Sequence, residues 1–266
     1  MSRDSVLAEQ RGAVRVLTFN HPERLNAWSN DMEDRYFELL DEADTDPGVR
    51  AVVVTGSGRG FCAGAVMSEL EAAGEGEADA DAYWQRRPRH RPMQLQKPLI
   101  GAINGAAVGL GLVEALYCDV RLCVPDAKLA TIFSRRGLIA EYGIAWLLLH
   151  QIGRSRTLDL LMSGRTVLGT EALALGLVDR VVPTQDLLDA AVAFASDIAT
   201  HCSPTSIAVI KQQVTKDAER SFLASDSNSV ELMLASFERP DVAEGVAAYL
   251  AKRAPEFAPF AGGMPS

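Results

Sequence analysis

The stretch Lys97–Asp119, KPLIGAINGAAVGLGLVEALYCD, decides the fold of this chain. It consists of an apolar run, a turn rich in glycine, and an apolar segment that carries no charge before Glu114. This order is typical of a buried strand that leads into a helix through a loop where the backbone comes close to another group. The glycines therefore indicate either a pocket for a ligand oxygen at the first N–H groups of the helix or close packing of the helix on the strand.

A second stretch of the same kind lies upstream, at Ala51–Leu70, AVVVTGSGRGFCAGAVMSEL. A β-branched run ends at Thr55-Gly56, and a glycine-rich loop leads into FCAGA. We call each of these strand-to-helix turns a corner. Two corners, each offering one main-chain N–H, can together bind one oxygen atom. Such an oxyanion hole stabilises developing negative charge and is often the largest single contribution to catalysis.

These two stretches and the turn HPERLNA at 21–27 resemble the crotonase superfamily, that is, the enoyl-CoA hydratases and isomerases, whose members carry similar segments in the same order. The resemblance runs from about Val14 to Val182 and weakens in the tail. It implies an α/β fold, a crotonase-like spiral of repeated ββα units with a C-terminal helical region for oligomerisation. We expect residues 1–183 to form the core with the acyl-CoA site, and residues 184–266 to mediate a homotrimer or a dimer of trimers.

The same resemblance implies the site residues. The main-chain N–H groups of Ala65 and Leu110 are expected to polarise a thioester carbonyl and stabilise an enolate. Arg24, Lys252 and Arg253 match basic positions that reach the phosphates of coenzyme A. The open alternatives are that Arg24 is a solvated loop residue and that Lys252 and Arg253 are simple cations at a helix C-terminus. The other residues expected around the substrate are Ala63, Gly64, Val66, Gly109, Val113 and Phe133.

The sequence departs from the family at the acid/base groups. Val113 and Phe133 stand where hydratases of the family carry the two glutamates that hold a water molecule, and Val66 stands where aspartate is frequent. Apolar side chains at those two places cannot activate water. Glu114 is adjacent, but one step along a helix turns a side chain by about 100°. We therefore expect Glu114 to have a structural role.

One carboxylate remains where the chemistry can use it. Glu141, in GLIAEYG, matches a position at which double-bond-shifting members carry a catalytic aspartate. A single carboxylate suffices to move a proton between two carbons, and apolar neighbours such as Ile139 and Tyr142 are expected to raise its pKa by desolvation. The alternative is an exposed carboxylate near a helix N-terminus. These residues favour an enoyl- or dienoyl-CoA double-bond isomerase, with a hydratase or a CoA-thioester-binding protein without turnover as alternatives.

Composition narrows the class of partner. The chain has 266 residues, 48% of them hydrophobic, and a net charge of −9, which disfavours nucleic acid and acidic membrane surfaces. The basic run from Arg86 to Arg91 is then interpreted as a solvated face. Four cysteines without CxxC spacing, and an N-terminus without an apolar segment, indicate a cytoplasmic enzyme. We expect no metal and no cofactor other than the coenzyme A of the substrate, and the four histidines match no Ser–His–Asp set of a Clp-like hydrolase.

Local patterns predict the main elements. Ala13–Asn20 alternates as a strand, Asn30 is expected to cap a helix that ends at Asp46, and Lys128–Phe133 is expected to be one strand. From residue 184 onward the sequence predicts helices with no strands between them.

Overall fold

The computed structural model describes residues 4–67, 71 and 85–260. Within them the strands are β1 (Val6–Arg11), β2 (Val14–Phe19), β3 (Ala51–Gly56), β4 (Gly60–Cys62), β5 (Leu99–Ile103), β6 (Ala106–Val108), β7 (Val120–Cys123), β8 (Lys128–Ala130), β9 (Thr166–Leu168) and β10 (Arg180–Val181). The helices are α1 (Asn30–Thr45), α2 (Leu110–Leu116), α3 (Ile144–Ile152), α4 (Arg154–Ser163), α5 (Gly169–Leu175), α6 (Leu187–His201), α7 (Pro204–Asp217), α8 (Phe222–Phe237) and α9 (Pro240–Ala251). Short 3-10 helices occupy Pro22–Arg24, Arg91–Gln94, Phe133–Arg136 and Thr184–Asp186.

The strands form two sheets, and from β3 to β8 successive strands belong alternately to the larger and the smaller sheet. The larger sheet has the order β1-β2-β3-β5-β7-β10 and the smaller has the order β4-β6-β8-β9. Only β1 in the larger sheet and β9 in the smaller pair antiparallel to their neighbours. The pairs β3 and β4, β5 and β6, and β7 and β8 therefore each place one strand in each sheet, so that the chain advances as a spiral.

The central strands of the larger sheet are buried on both faces. Every residue of β3 and β5 is buried, as expected for parallel strands covered on both sides. Beside them, the rings of Phe19, Trp28, Tyr36 and Phe61 pack edge to face, with Phe19 at 5.2–5.4 Å from the other three centroids. This core fixes the ends of the strands from which the site is built.

The expected α/β spiral, with a helical C-terminal region, is confirmed. Helix α1 begins differently from the prediction, because the side chain of Ser29, not Asn30, accepts the N–H of Met32. The predicted strand Lys128–Phe133 stops at Ala130. It ends there because Ile132 adopts a left-handed backbone (φ 57°) and Phe133 begins a 3-10 helix.

The C-terminal region is helical, and its apolar residues are poorly covered. In α8 none of the residues is buried, and Phe222 and Leu223 are 80% and 75% exposed. Tyr249 and Leu250 of α9 are also exposed. Exposed apolar surface of this extent is typical of an interaction site. No helix among the described residues is long and apolar enough to span a membrane.

Candidate active site

Two adjacent parallel strands bring the two predicted corners together. Strand β4 pairs with β6, with Gly60 opposite Ala106 and Cys62 opposite Ala107. The chain leaves β4 at Ala63 and leaves β6 at Gly109. Because the carboxyl ends of parallel strands meet at the same edge, the FCAGA loop and the start of α2 become neighbours.

Two glycines permit this close approach. A Cβ on Gly64, whose φ is +97°, would lie 2.9 Å from the carbonyl oxygen of Val108 and 4.0 Å from the nitrogen of Leu110. A Cβ on Gly111 would lie 2.0 Å from the carbonyl oxygen of Cys62. Any side chain at either position would separate the corners, so these glycines serve packing and, through it, the shape of the site.

The hydrogen bonds around the corners leave the two candidate donors unused. Trp28 donates its N–H to Gly64 and accepts that of Val66, at 2.8 and 3.0 Å, so the N–H of Ala65 between them faces away from Trp28. Leu110 is the first residue of α2, where helix geometry supplies no partner for the N–H. The loop and cap hydrogen bonds of the described residues include neither of these N–H groups.

Both corners open on one cavity of about 200 Å³, which we call the corner cavity. It also contains Glu141, the one carboxylate on its described wall. The wall residues are Ala63, Gly64, Ala65, Arg89, Val108, Gly109, Leu110, Ile132, Phe133, Arg136, Leu138, Glu141 and Tyr142. The predicted donors and the predicted acid/base group therefore lie on the same small, largely apolar space.

Glu141 is half-buried, and burial raises the pKa of its carboxyl group, while the positive charge of Arg89 opposes that rise. Glu141 lies two residues before Gly143, the N-cap of α3, and the first turn of α3 contains no acidic residue. Glu141 therefore precedes the helix and does not belong to its first turn.

Two residues on the cavity wall have strained backbones. Ile132 and Tyr142 adopt φ values of 57° and 53°, a left-handed conformation that is unfavourable for side chains with a Cβ, and most of all for a β-branched one. The hydroxyl of Tyr117 donates to the carbonyl oxygen of Tyr142 at 2.8 Å and holds that turn. Strain of this kind is concentrated at functional sites, where the surrounding structure maintains it.

The two positions at which the resemblance implies the glutamates of hydratases differ in whether they line the corner cavity. Phe133 lies on the corner cavity, whereas Val113 is fully buried in the core and does not reach the wall. Val66 is half-buried and also lies outside the described wall. Neither Val113 nor Val66 is among the described residues that line the corner cavity, so their contact with the substrate stays a prediction.

Glu114 is also enclosed and is not among the described residues that line the corner cavity. It is 1% exposed, and neither carboxyl oxygen has a hydrogen-bond partner among the described residues. Burial raises its pKa strongly, the charge of Glu33 adds to the rise, and Arg89 opposes it. The expected structural role is consistent with this position.

The basic residues expected near coenzyme A differ in where they lie. Arg24 is exposed in the loop whose Leu25 carbonyl accepts the N–H of Ala63 at 3.0 Å, next to the first corner. Lys252 and Arg253 follow α9 and do not line the corner cavity. The guanidinium of Arg253 binds both carboxylate oxygens of Glu244, at 2.6 and 2.9 Å. Of these three residues, Arg24 alone lies next to the first corner within one protomer.

The basic run, which we call the arginine strap (Arg86–Arg91), packs against the acidic face of α1. Its ion pairs have N···O distances of 2.7–3.1 Å, and they join Arg86 to Glu33 and Asp34, Arg87 to Asp41, Arg89 to Glu33, and Arg91 to Asp41 and Asp44. The interpretation as a solvated face therefore fits Arg87, Pro88 and His90, which are exposed, but not the half-buried Arg86, Arg89 and Arg91. Most of the insert between the first corner and the strap, residues 72–84, lies outside the described residues.

Sequence reasoning missed Arg89 as a residue of the site. Its pairing with the buried Glu33 places it on the wall of the corner cavity, and its guanidinium carbon lies 4.8 Å from the centroid of the Tyr142 ring. The sequence alone shows four arginines within six residues and does not distinguish the one that turns inward.

Comparison with known proteins agrees with this architecture. The family model described as enoyl-CoA hydratase/isomerase matches residues 9–259. The chain is 33% identical over 260 residues to a probable enoyl-CoA hydratase of Mycobacterium bovis (97% of this chain, 99% of the relative) and 33% identical over 267 residues to the 1,2-epoxyphenylacetyl-CoA isomerase of Escherichia coli (95% and 97%). The crystal structure of an enoyl-CoA hydratase from Mycobacterium marinum is 48% identical, with a TM-score of 0.70 over 82% of this chain and all of that one. That of a probable enoyl-CoA hydratase/isomerase from Mycobacterium abscessus is 29% identical, with a TM-score of 0.87 over 96% and 99%.

Proposed function

Since the chain belongs to the enoyl-CoA hydratase/isomerase family of the crotonase superfamily, we propose that it shifts a double bond in an enoyl- or dienoyl-CoA through a thioester enolate. Glu141 is the proposed acid/base group, and the N–H groups of Ala65 and Leu110 are the proposed oxyanion donors. The observation that carries this proposal is the corner cavity, which brings Glu141 and both corners together.

The proposed reaction needs one carboxylate. With the thioester oxygen between the two N–H groups, Glu141 removes a proton from the α-carbon, and the negative charge spreads onto the thioester oxygen and, through the adjacent double bond, onto the γ-carbon. Glu141 then returns the proton to the γ-carbon, and the double bond ends beside the carbonyl. The proton that leaves one carbon is the one that joins the other, so no water is consumed.

Hydration is the second candidate, because most of the similar proteins reported by name are hydratases. It requires a water molecule to be held and deprotonated. At the two positions where the resemblance implies glutamates, this chain has Phe133 on the cavity and Val113 in the core. Glu141 would therefore have to hold and deprotonate the water alone. We therefore favour isomerisation as the faster reaction.

The remaining parts of the proposal concern coenzyme A and assembly. Arg24 is proposed to contact the phosphates from the same subunit, and Lys252 and Arg253 from a neighbouring subunit of a trimer or hexamer, which the exposed apolar residues of α8 and α9 support. Deleting α9 should then weaken both assembly, measured by sedimentation, and affinity for free coenzyme A. That affinity should also decrease as salt rises, because phosphate pairing is screened.

The test compares both reactions in the purified protein. We expect turnover of a 3-enoyl-CoA to exceed hydration of the matching 2-enoyl-CoA. Glu141→Gln keeps the size of the side chain and removes its ability to accept and return a proton, so isomerisation should decrease by about 10²–10⁴-fold while binding of coenzyme A is kept. Strong hydration that survives Glu141→Gln would contradict the assignment.

A further inference from the structure

A second cavity, which we call the side cavity, adjoins the corner cavity. Its volume is about 450 Å³, and it shares Arg89 and Tyr142 with the corner cavity. This volume is in the range of small-ligand sites. The apolar and aromatic part of its wall consists of Pro88, Met93, Tyr117, Tyr142, Trp146 and Leu147.

The position of the side cavity suggests which part of a substrate reaches it. The loop of Arg24, where coenzyme A is proposed to bind, is joined to the first corner through the bond from Ala63 to Leu25. Arg89 and Tyr142 instead form the border with the side cavity. An acyl group whose oxygen lies between the corners, and whose coenzyme follows the Arg24 loop, therefore passes Glu141 and extends between Arg89 and Tyr142.

The described wall of the side cavity is positively charged. It contains three arginines and His90, and no acidic residue among the described wall residues. Two of the arginines are neutralised by α1, since Arg86 pairs with Glu33 and Asp34 and Arg87 pairs with Asp41. Arg89 differs from them because it shares its only carboxylate partner in the described chain, Glu33, with Arg86.

The guanidinium of Arg89 has donors to spare. Its Nη1 lies 2.8 Å from Oε2 of Glu33 and forms an ion pair with it by distance, but no hydrogen bond from the guanidinium is found among the described residues, and Nη1 itself is buried. Arginine has five N–H donors, and its side chain here is only 14% exposed, so water satisfies few of them. The ring of Tyr142 supports the planar group from one side. Arg89 is thus a pre-oriented cation at the junction of the two cavities.

We propose that the side cavity binds the distal end of the acyl group and that Arg89 selects acyl groups ending in a carboxylate. This inference rests on the acyl-CoA binding that is part of the proposed function. An arginine can bind a carboxylate through two parallel N–H···O bonds, which are stronger and more directional than bonds between neutral groups. A methyl-ended acyl group would leave the same donors unsatisfied in a partly desolvated site.

The first test measures binding and needs no turnover. The probes are octanoyl-CoA and 7-carboxyheptanoyl-CoA, which have the same chain length and differ only at the far end. We expect the carboxylate-ended probe to bind about 10–100-fold more tightly by calorimetry. Arg89→Met should remove that preference and leave octanoyl-CoA binding within about threefold. Arg91→Met is the matched control, because Arg91 belongs to the strap but lines neither cavity, and it should keep the preference.

The second test measures turnover with oct-3-enoyl-CoA and its carboxylate-ended counterpart, and it separates the two proposals. A preference in binding without turnover of either compound would contradict the proposed function and support the role of Arg89. Turnover without a preference for the carboxylate, or an equal loss on both compounds in Arg89→Met, would overturn the role of Arg89. Because Arg89→Met leaves the buried Glu33 with one partner fewer, the variant Glu33→Gln/Arg89→Met is measured in parallel, and the same outcomes apply to it.

Discussion

Helix α2 and the loop 137–143 each place one glutamate near Arg89, and burial raises the pKa of both carboxyl groups. Glu141 meets the corner cavity, where it adjoins the two corners. Glu114 is enclosed by the core and touches no cavity described in the structure. A raised pKa therefore does not identify the acid/base group by itself; access to the reacting atoms distinguishes the two.

The largest expected effect is the difference in rate between the variants in which Glu141 or Glu114 is replaced by glutamine. Glu141→Gln should lower the rate of double-bond shift by about 10²–10⁴-fold, whereas Glu114→Gln should keep it within about threefold, because only Glu141 reaches the cavity. Steady-state kinetics with a 3-enoyl-CoA measures both. If Glu114→Gln were the more damaging change, α2 would have to be rotated from the position seen here.

The next effect concerns the corners themselves. Leu110→Pro removes one proposed oxyanion donor and should lower kcat by about 10²-fold, a typical cost for losing one donor of an oxyanion hole. Proline is tolerated at the first helical position, which Leu110 occupies, so the helix should survive. Leu110→Ala is the control, because it shortens the side chain and keeps the N–H. Equal losses in the two variants would assign the effect to packing.

A smaller effect is expected from pH. As a base, Glu141 must be ionised, so kcat/KM should increase with pH, by about tenfold per unit, until the pH passes its raised pKa. Arg89 lowers that pKa, and Arg89→Met should therefore move the rise to higher pH. A pH profile of Arg89→Met that coincides with that of the wild type would show that the two groups are not electrostatically coupled. Because Glu114 stays outside the cavity, Glu114→Gln should leave the profile unchanged.

The two regions also show what the sequence can predict. Ala65, Leu110 and Glu141 are found together because strand order and glycine-rich corners are local patterns, and adjacent parallel strands then bring the corners to one edge. The isolation of Glu114 follows from the same helical periodicity. From residue 184 onward the sequence predicts helices without intervening strands, and the described residues show this arrangement.

What could not be predicted depends on long-range pairing. Arg89 turns inward because it pairs with the buried Glu33, which lies 56 positions earlier (89 − 33), and no spacing in the sequence joins the two. Strand Lys128–Phe133 is cut short because Ile132 adopts a left-handed backbone, which β-branched residues rarely do. Arg89 and Ile132 both lie on the corner cavity, where tertiary contacts override the local conformational preferences of the sequence.

The smallest expected effect is on stability, and it tests the enclosed glutamate. The folded protein keeps the proton of Glu114 at pH values where the unfolded chain releases it, because its folded pKa is raised. The contribution of Glu114 to stability is therefore complete below the ordinary carboxyl pKa, about 4.3, and is lost as the pH rises toward the raised pKa of Glu114 in the folded protein.

Glu114→Leu removes a buried carboxyl group that has no hydrogen-bond partner among the described residues, and it should raise the free energy of unfolding at pH 8 by about 1–3 kcal/mol. For a chain of this size we expect the melting temperature to increase by about 2–4 °C per kcal/mol, with a smaller difference between pH 5 and pH 8 than in the wild type. Glu114→Gln should flatten the pH dependence of the free energy of unfolding. It should not increase that free energy as much as Glu114→Leu does, because the amide stays buried and unpaired. A Leu variant that melts lower than the wild type would mean that Glu114 has a stabilising partner, and would weaken the contrast between the two glutamates.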